Sequence, residues 1–265
     1  MHGSVTVAGL DHLVFAVRSI DAAARRFSHL GFRLTPRGGH PAMGSANHTF
    51  VFPGNDYGEL LSAEKDGAFT GYFRNFAEEA EGLAGVAFRI DDVAAARAVL
   101  LGAGFAPEET LHFARPVEVD GTLHEARFSV IQLPLGSLPG GRVFFVQHHT
   151  PELVWRPDMM DHPNGVQGIT GIILVDEEPE AARAAYRRLD LDSGFGLEVL
   201  TAKAFEDRYH EPAPAGRFAG VRFRVSDPER TAMVLSVGGV RFVETGEGIE
   251  VPTLQASGTR LVFQR

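Results

Sequence analysis

The chain has 265 residues, 44% hydrophobic and 22% charged, the composition of a globular protein with material for one large core or two ordinary domains. Its 25 basic and 34 acidic residues leave a formal charge of −9, and an acidic surface repels phosphate backbones, which argues against nucleic acid as a partner. No apolar run approaches the roughly 18 residues of a membrane helix, and zero cysteines exclude disulfides, thiolate metal sites and a thiol nucleophile. The start, Met1-His2-Gly3-Ser4, has no basic region followed by an apolar stretch. The expectation is a cytoplasmic protein with no membrane contact.

Taken in chain order, the predicted elements repeat. Residues 10–34 open with an apolar run from Leu10, followed by an acidic cap at Asp21, an Ala-rich amphipathic stretch and a helix-breaking Gly31. The same register, without a gap, begins again at Leu83 (83 − 10 = 73), Ile169 (shift 159) and Phe218 (shift 208). The caps are then Asp91–Asp92, Glu177–Glu178 and Asp227, and the breaks Gly104, Asp190 and Gly239. In copy one, strands are predicted over Thr49–Pro53 and Tyr57–Leu61, around a Gly54-Asn55-Asp56 turn. In copy two they fall over Ser129–Pro134 and Val143–Val146. Copy three is short, and its later strands are poorly marked. Each copy reads as β-α-β-β-β. Pro151–Gly165 looks like a linker, which divides the chain into residues 1–150 and 165–265, each a pair of modules.

Paired βαβββ modules, the opening Leu10-Asp11-His12-Leu13-Val14 and the strand Tyr57-Gly58-Glu59-Leu60-Leu61 resemble the vicinal oxygen chelate superfamily. The segment His40-Pro41-Ala42-Met43-Gly44-Ser45-Ala46-Asn47-His48 looks like its glyoxalase-like branch. The resemblance implies an α+β fold, of the glyoxalase/dihydroxybiphenyl dioxygenase type, in which paired modules curl into half-open β-cups holding a small molecule. It also implies that His12 and Glu59 sit where a histidine and a carboxylate bind a divalent metal. With no thiolate available, an N/O pair suits Zn, Fe, Mn, Co or Ni.

This chain departs from that pattern. The shifts place Gly85, Gly171 and Gly220 opposite His12, and aligning Leu60–Leu61 with Val146–Gln147 places Phe145 opposite Glu59. Two protein ligands hold a metal loosely. A third is sought in His48, His148 or Gln147. Strand alternation puts Gln147 with Phe145 on the cup face and turns His148 away, unless a bulge reverses it. Asn47 and His48 are candidates to orient a polar substrate group, Arg127 to add positive charge, and Phe145 to form an apolar wall. His12 and Glu59, 47 residues apart, are expected to meet through sheet pairing, sharing a metal or hydrogen-bonding as a metal-free base. Two functions stay open: a metal-dependent lyase, isomerase or dioxygenase acting on a small oxygenated molecule, or a metal-free protein that binds and sequesters one. The C-terminal half is left to stabilise, cover or dimerise, and a homodimer is compatible with that.

Overall fold

The computed structural model describes residues 7–40, 43–189 and 196–265; the Met1–Ser4 start, Pro41–Ala42 and the Asp190 helix break lie outside them. Module one comprises β1 (Val7–Ala16), α1 (Ile20–His29), β2 (Gly38–His40), β3 (Ser45–Val51) and β4 (Tyr57–Ala63). A helix not foreseen above, α2 (Ala68–Glu79), leads into module two. There β5 (Gly82–Ile90), α3 (Val93–Gly102), β6 (Leu111–Val119), β7 (Thr122–Gln132) and β8 (Arg142–His148) follow in order. Module three holds β9 (Val166–Val175), α4 (Pro179–Arg187), β10 (Leu197–Leu200) and α5 (Ala202–Tyr209). Module four holds β11 (Arg217–Val225), α6 (Pro228–Val237), β12 (Val243–Thr245), β13 (Gly248–Val251) and β14 (Arg260–Gln264). The fold is α+β. Three modules are complete βαβββ units; in module three, among the described residues, α5 follows β10 where further strands were expected.

Four helices, α1, α3, α5 and α6, start where the sequence supplies a side-chain acceptor for their free N–H groups. Ser19 Oγ accepts from Ala22 N (3.3 Å), and Asp92 from Ala94 N (2.8 Å) and Ala95 N (2.9 Å). Asp227 accepts from Glu229 N (3.0 Å) and Arg230 N (3.2 Å). The chain leaves α1 through Gly31 in the left-handed region, at φ +83°. On α1, Ile20, Ala23 and Phe27 form the buried stripe.

The first sheet has the order β2-β3-β4-β1-β5-β8-β7-β6 and the second β10-β9-β11-β14-β13-β12. In each, two module-opening strands pair antiparallel at the centre, β1 with β5 and β9 with β11, and each has a parallel outer neighbour. The edge strands β2 and β6 come into contact, so the first sheet curls nearly closed.

Both faces of the first sheet are buried. Leu13, Phe15, Phe88 and Phe145 face one continuous core that also contains Phe27 of α1 and Phe218, Phe223 and Phe263 of the second sheet. Phe32 bridges the layers, its ring centroid 4.8 Å from that of Phe50 and 5.4 Å from that of Phe223. Burying each such ring contributes about 1.5–3 kcal/mol. The opposite face, with Val14, Ala87, Phe144 and Val146, lines the inside of the curl, against Phe73 and Phe76 of α2.

The stretch read as a linker is packed rather than free. His162 and Asn164 are buried. His162 Nδ1 accepts from Arg33 N (2.9 Å) while Nε2 donates to Val51 O (2.9 Å), and Asn164 Nδ2 donates to Leu30 O (2.9 Å). Val154 is buried as well, and Leu153, Trp155, Met159 and Met160 pack against the core inside the curl, so both apolar contacts and these side-chain bonds fix it.

Candidate active site

The curled first sheet surrounds a cavity. Tyr57, Phe69, Phe73, Phe113, Phe128 and Phe144 supply most of its wall, and His12, His40, Asn47, Glu59, Arg115 and Gln132 its polar groups. A small number of polar groups set in an aromatic wall is the usual make-up of a small-molecule site.

His12 is the centre of the polar group. Its Nδ1 lies 2.7 Å from Asp11 Oδ1 and its Nε2 lies 4.0 Å from Glu59 Oε2. Its ring stacks on Tyr57, with centroids 4.5 Å apart. Asn47 Nδ2 donates to Glu59 Oε1 at 2.6 Å, which fixes the carboxylate. Asp11 is fully buried and also accepts from His148 Nε2, at 2.9 and 3.1 Å. Burial alone pushes its carboxyl up, but the bonds from His12 and His148 outweigh that and hold it at about 2. Asp11 is therefore an anion at neutral pH and accepts only, so a His12 ring with a single proton carries it on Nδ1 and turns the Nε2 lone pair to the cavity side.

Neighbouring residues of a strand point to opposite faces, yet Asp11 and His12 share one. The cause is a bulge: Leu10 pairs with Phe88 and His12 with Ala87, leaving Asp11 as the extra residue. His40 joins the same wall, its Nδ1 3.0 Å from Ser45 Oγ. Burial lowers its pKa, which keeps the ring neutral, and burial raises that of Tyr57 well above its usual value, reinforced by the charges of Asp11 and Glu59.

The model of the glyoxalase-like domain family matches residues 10–189. The chain belongs to that family. With it the chain joins the vicinal oxygen chelate superfamily. No curated protein matches the chain. A hypothetical protein from Staphylococcus aureus superposes with a TM-score of 0.68 at 11% identity, over 96% of this chain and 98% of that one. A xylose isomerase-like TIM barrel/4-hydroxyphenylpyruvate dioxygenase fusion protein gives 0.59 at 14% identity, over 100% of this chain and 50% of that one. At such identities the likeness shows the fold alone.

In this glyoxalase-like protein the cavity brings together His12, Glu59 and Asn47. Four other candidates lie elsewhere. His48 points to the opposite face of β3, where its Nδ1 donates to Thr35 O (2.7 Å), because Asn47 and Thr49 take the cavity side. Arg127 is exposed on β7, one residue out of phase with the cavity-lining Phe128. Phe145 is buried in the core between the sheets, 6.0 Å from Phe88. Gln147 shares that parity, and it joins β8 to the start of α3, donating to Asp91 O (2.6 Å) and accepting from Val93 N (3.2 Å). The alignment behind the last two was one residue off: Val14 pairs with Glu59 and its counterpart Ala87 with Phe144. Phe144 is thus the apolar replacement for Glu59, and His148 faces inward. Asp11, Tyr57, His40 and Arg115 were missed. Tyr57 follows from Glu59 by alternation and Arg115 from the Phe113-Ala114-Arg115-Pro116-Val117 pattern, whereas Asp11 was hidden by the bulge.

The donor set does not fit a metal held by the protein alone. His12 Nε2 and Glu59 Oε2 are available, but His12 Nδ1 is turned to Asp11 and Glu59 Oε1 is taken by Asn47. Among the described residues no group of three His, Asp or Glu side chains converges on one point, and catalytic sites usually supply three ligands. Among them, too, no helix is long and apolar enough to cross a membrane.

Proposed function

We propose that this glyoxalase-like protein moves a proton on a small oxygenated organic molecule bound in the N-terminal cup, as an isomerase or lyase would, with His12 as the base. The observation that carries this reading is the 2.7 Å contact between Asp11 and His12 Nδ1, which leaves Nε2 facing the cavity as a proton acceptor. A C–H beside a carbonyl loses its proton to Nε2. Asp11 holds the ring in place and stabilises the imidazolium that forms, as does Glu59 at 4.0 Å. The aromatic wall excludes water and presses the flat part of the ligand toward β1 and β4. Return of the proton to a neighbouring atom completes an isomerisation; loss of a leaving group instead completes an elimination. No step requires a metal, which agrees with a donor set of two, and oxygen chemistry at a redox metal has the weaker support for the same reason.

The test is hydrogen exchange in D₂O, read by NMR for a panel of small aldehydes, ketones and 2-oxo acids. The expected result is enzyme-dependent loss of an α C–H signal for some member, abolished in His12→Asn. Binding without exchange across the panel would leave sequestration as the function.

A further inference from the structure

Arg115 stands apart from the other polar groups of the cavity. It lies on the edge strand β6, across the curl from β1 and β4, and its guanidinium contacts the face of Phe128, 5.9 Å from the ring centroid. Among the described residues it has no ion pair and no hydrogen bond. The cavity's carboxylate is engaged elsewhere, since Glu59 is held by Asn47 beside His12. Arg115 also borders a second, outer groove, together with Gly38, Gly39 and Lys65, so it stands where the cavity opens between the two edge strands. A Cβ placed on Gly38 of β2 would lie 3.8 Å from Arg115 Nη1, which puts the guanidinium across the mouth from that strand. Among the described residues Lys65 and Glu118, on the same groove, have no ion pair either, whereas Arg37 and Arg156 there are paired with Glu64 and Asp158. On a chain of net charge −9, Arg37, Lys65, Arg115 and Arg156 against Glu64 and Glu118 on this groove are a local reversal of charge.

We infer that the cup takes a planar, largely apolar molecule carrying one carboxylate, with the carboxylate on Arg115 at the mouth and the flat body among Tyr57, Phe73, Phe113, Phe128 and Phe144. A guanidinium presents two parallel N–H donors that match a carboxylate, and its seat on the Phe128 ring restricts it to that side. The aromatic faces take the body by stacking. With the anion anchored on β6, the far end of the ligand is delivered to His12 and Glu59 on β1 and β4. The inference names the substrate class for the function proposed above and rests on the same cavity, but it does not depend on the chemistry of His12.

Calorimetric titration with trans-cinnamate and cinnamyl alcohol, which share a planar body and differ in charge, tests it. Wild type should bind cinnamate at least tenfold more tightly than the alcohol, and the preference should shrink with added salt. Arg115→Gln should lose cinnamate affinity by at least tenfold and leave the alcohol unchanged, while Arg115→Lys keeps part of the preference. Arg127→Gln, which removes an equal charge from the neighbouring strand outside the cavity, should change neither. Absence of cinnamate binding, equal affinity for the two probes, or a preference that survives Arg115→Gln overturns the proposal. His12→Asn separates the two readings: retained cinnamate affinity with no exchange activity in any variant defeats the proton-transfer function and leaves the ligand class standing. Exchange on neutral ketones that ignores Arg115 does the reverse.

Discussion

Glu59 and Glu198 occupy the same place in two copies of one module. Val14 pairs with Glu59 across β1 and β4; Ile173, 159 residues on (173 − 14), pairs with Glu198 across β9 and β10. Their surroundings differ. Glu59 receives one neutral amide and faces a histidine and open space, whereas Glu198 binds both Arg222 and Arg208. Burial alone pushes the Glu198 carboxyl up, but the two arginines outweigh it and hold it below the usual range. The histidine position differs too. A side chain on Gly171 would put its Cβ 2.4 Å from Gly196 O, so nothing but glycine fits there. Phe205 and Tyr209 of α5 pack on Ile173, Val175 and Val262, filling the face that in the first sheet bounds the cavity. One carboxylate position thus has two settings: in the first sheet it borders a cavity beside a histidine and an amide, in the second it is bonded to two arginines.

The widest separation between the halves should appear in activity. His12→Asn is expected to lower the proton-exchange rate by about 10²–10⁴-fold, the range supplied by a positioned base, while Glu198→Gln leaves it unaltered. Equal losses from the two variants, measured on the same exchanging compound, would erase the functional distinction between the sheets.

Stability should separate the two phenylalanines that an off-by-one alignment confused. Phe145→Ala opens a hole in the shared core and is expected to cost about 3–5 kcal/mol in urea unfolding, with cinnamate affinity retained at temperatures where the variant is folded. Phe144→Ala removes cavity wall, so it should weaken cinnamate as well. Cinnamate affinity lost from Phe145→Ala alone would place the cavity on the other face of β8.

These two residues also mark where the sequence stopped being readable. The four strand–helix registers were legible because an acidic residue and an amphipathic stretch follow each apolar run, and the glycines opposite His12 were legible from the shifts alone. Side-chain parity on β8 was not, because both faces of the first sheet are buried and Val143–Val146 is apolar throughout, with no alternation to fix which residue points in. Asp11 was lost to the bulge at Leu10–His12, which no local composition announces. The helix α2, whose spacing Phe69, Phe73 and Phe76 carry, lies between the repeated registers and has no counterpart in them.

The carboxylates themselves should respond in opposite ways to neutralisation. Glu198→Ala strands two guanidiniums and is expected to cost about 1–3 kcal/mol. Glu59→Gln keeps the acceptor for Asn47 and removes a buried charge, so its stability should stay within about 1 kcal/mol of wild type while exchange activity falls. Chemical denaturation of both variants under one buffer decides it, and a larger loss for Glu59→Gln would make Glu59 the structural member of the pair.

The smallest effect concerns the seam between the halves. His162 sits where the chain passes from the first sheet to the second, accepting from Arg33 N on one ring nitrogen and donating to Val51 O from the other. Both bonds together require the neutral ring. Burial lowers its pKa, with the Arg33 charge adding to this and the Val51 bond and Asp161 opposing it. The folded state therefore binds fewer protons at this site than the unfolded chain, whose histidine titrates near 6.5. It follows that the stability contributed by His162 is present above pH 6.5 and declines as pH falls toward the folded pKa, by at most about 1.4 kcal/mol for each pH unit. His162→Gln offers an acceptor and a donor without titrating. Unfolding curves at pH 7.5 and 5.5 should show a smaller acid-induced loss for the variant than for wild type. If the loss is the same in both, the acid sensitivity of the molecule lies in other groups and the seam is held by Asn164 and the backbone instead.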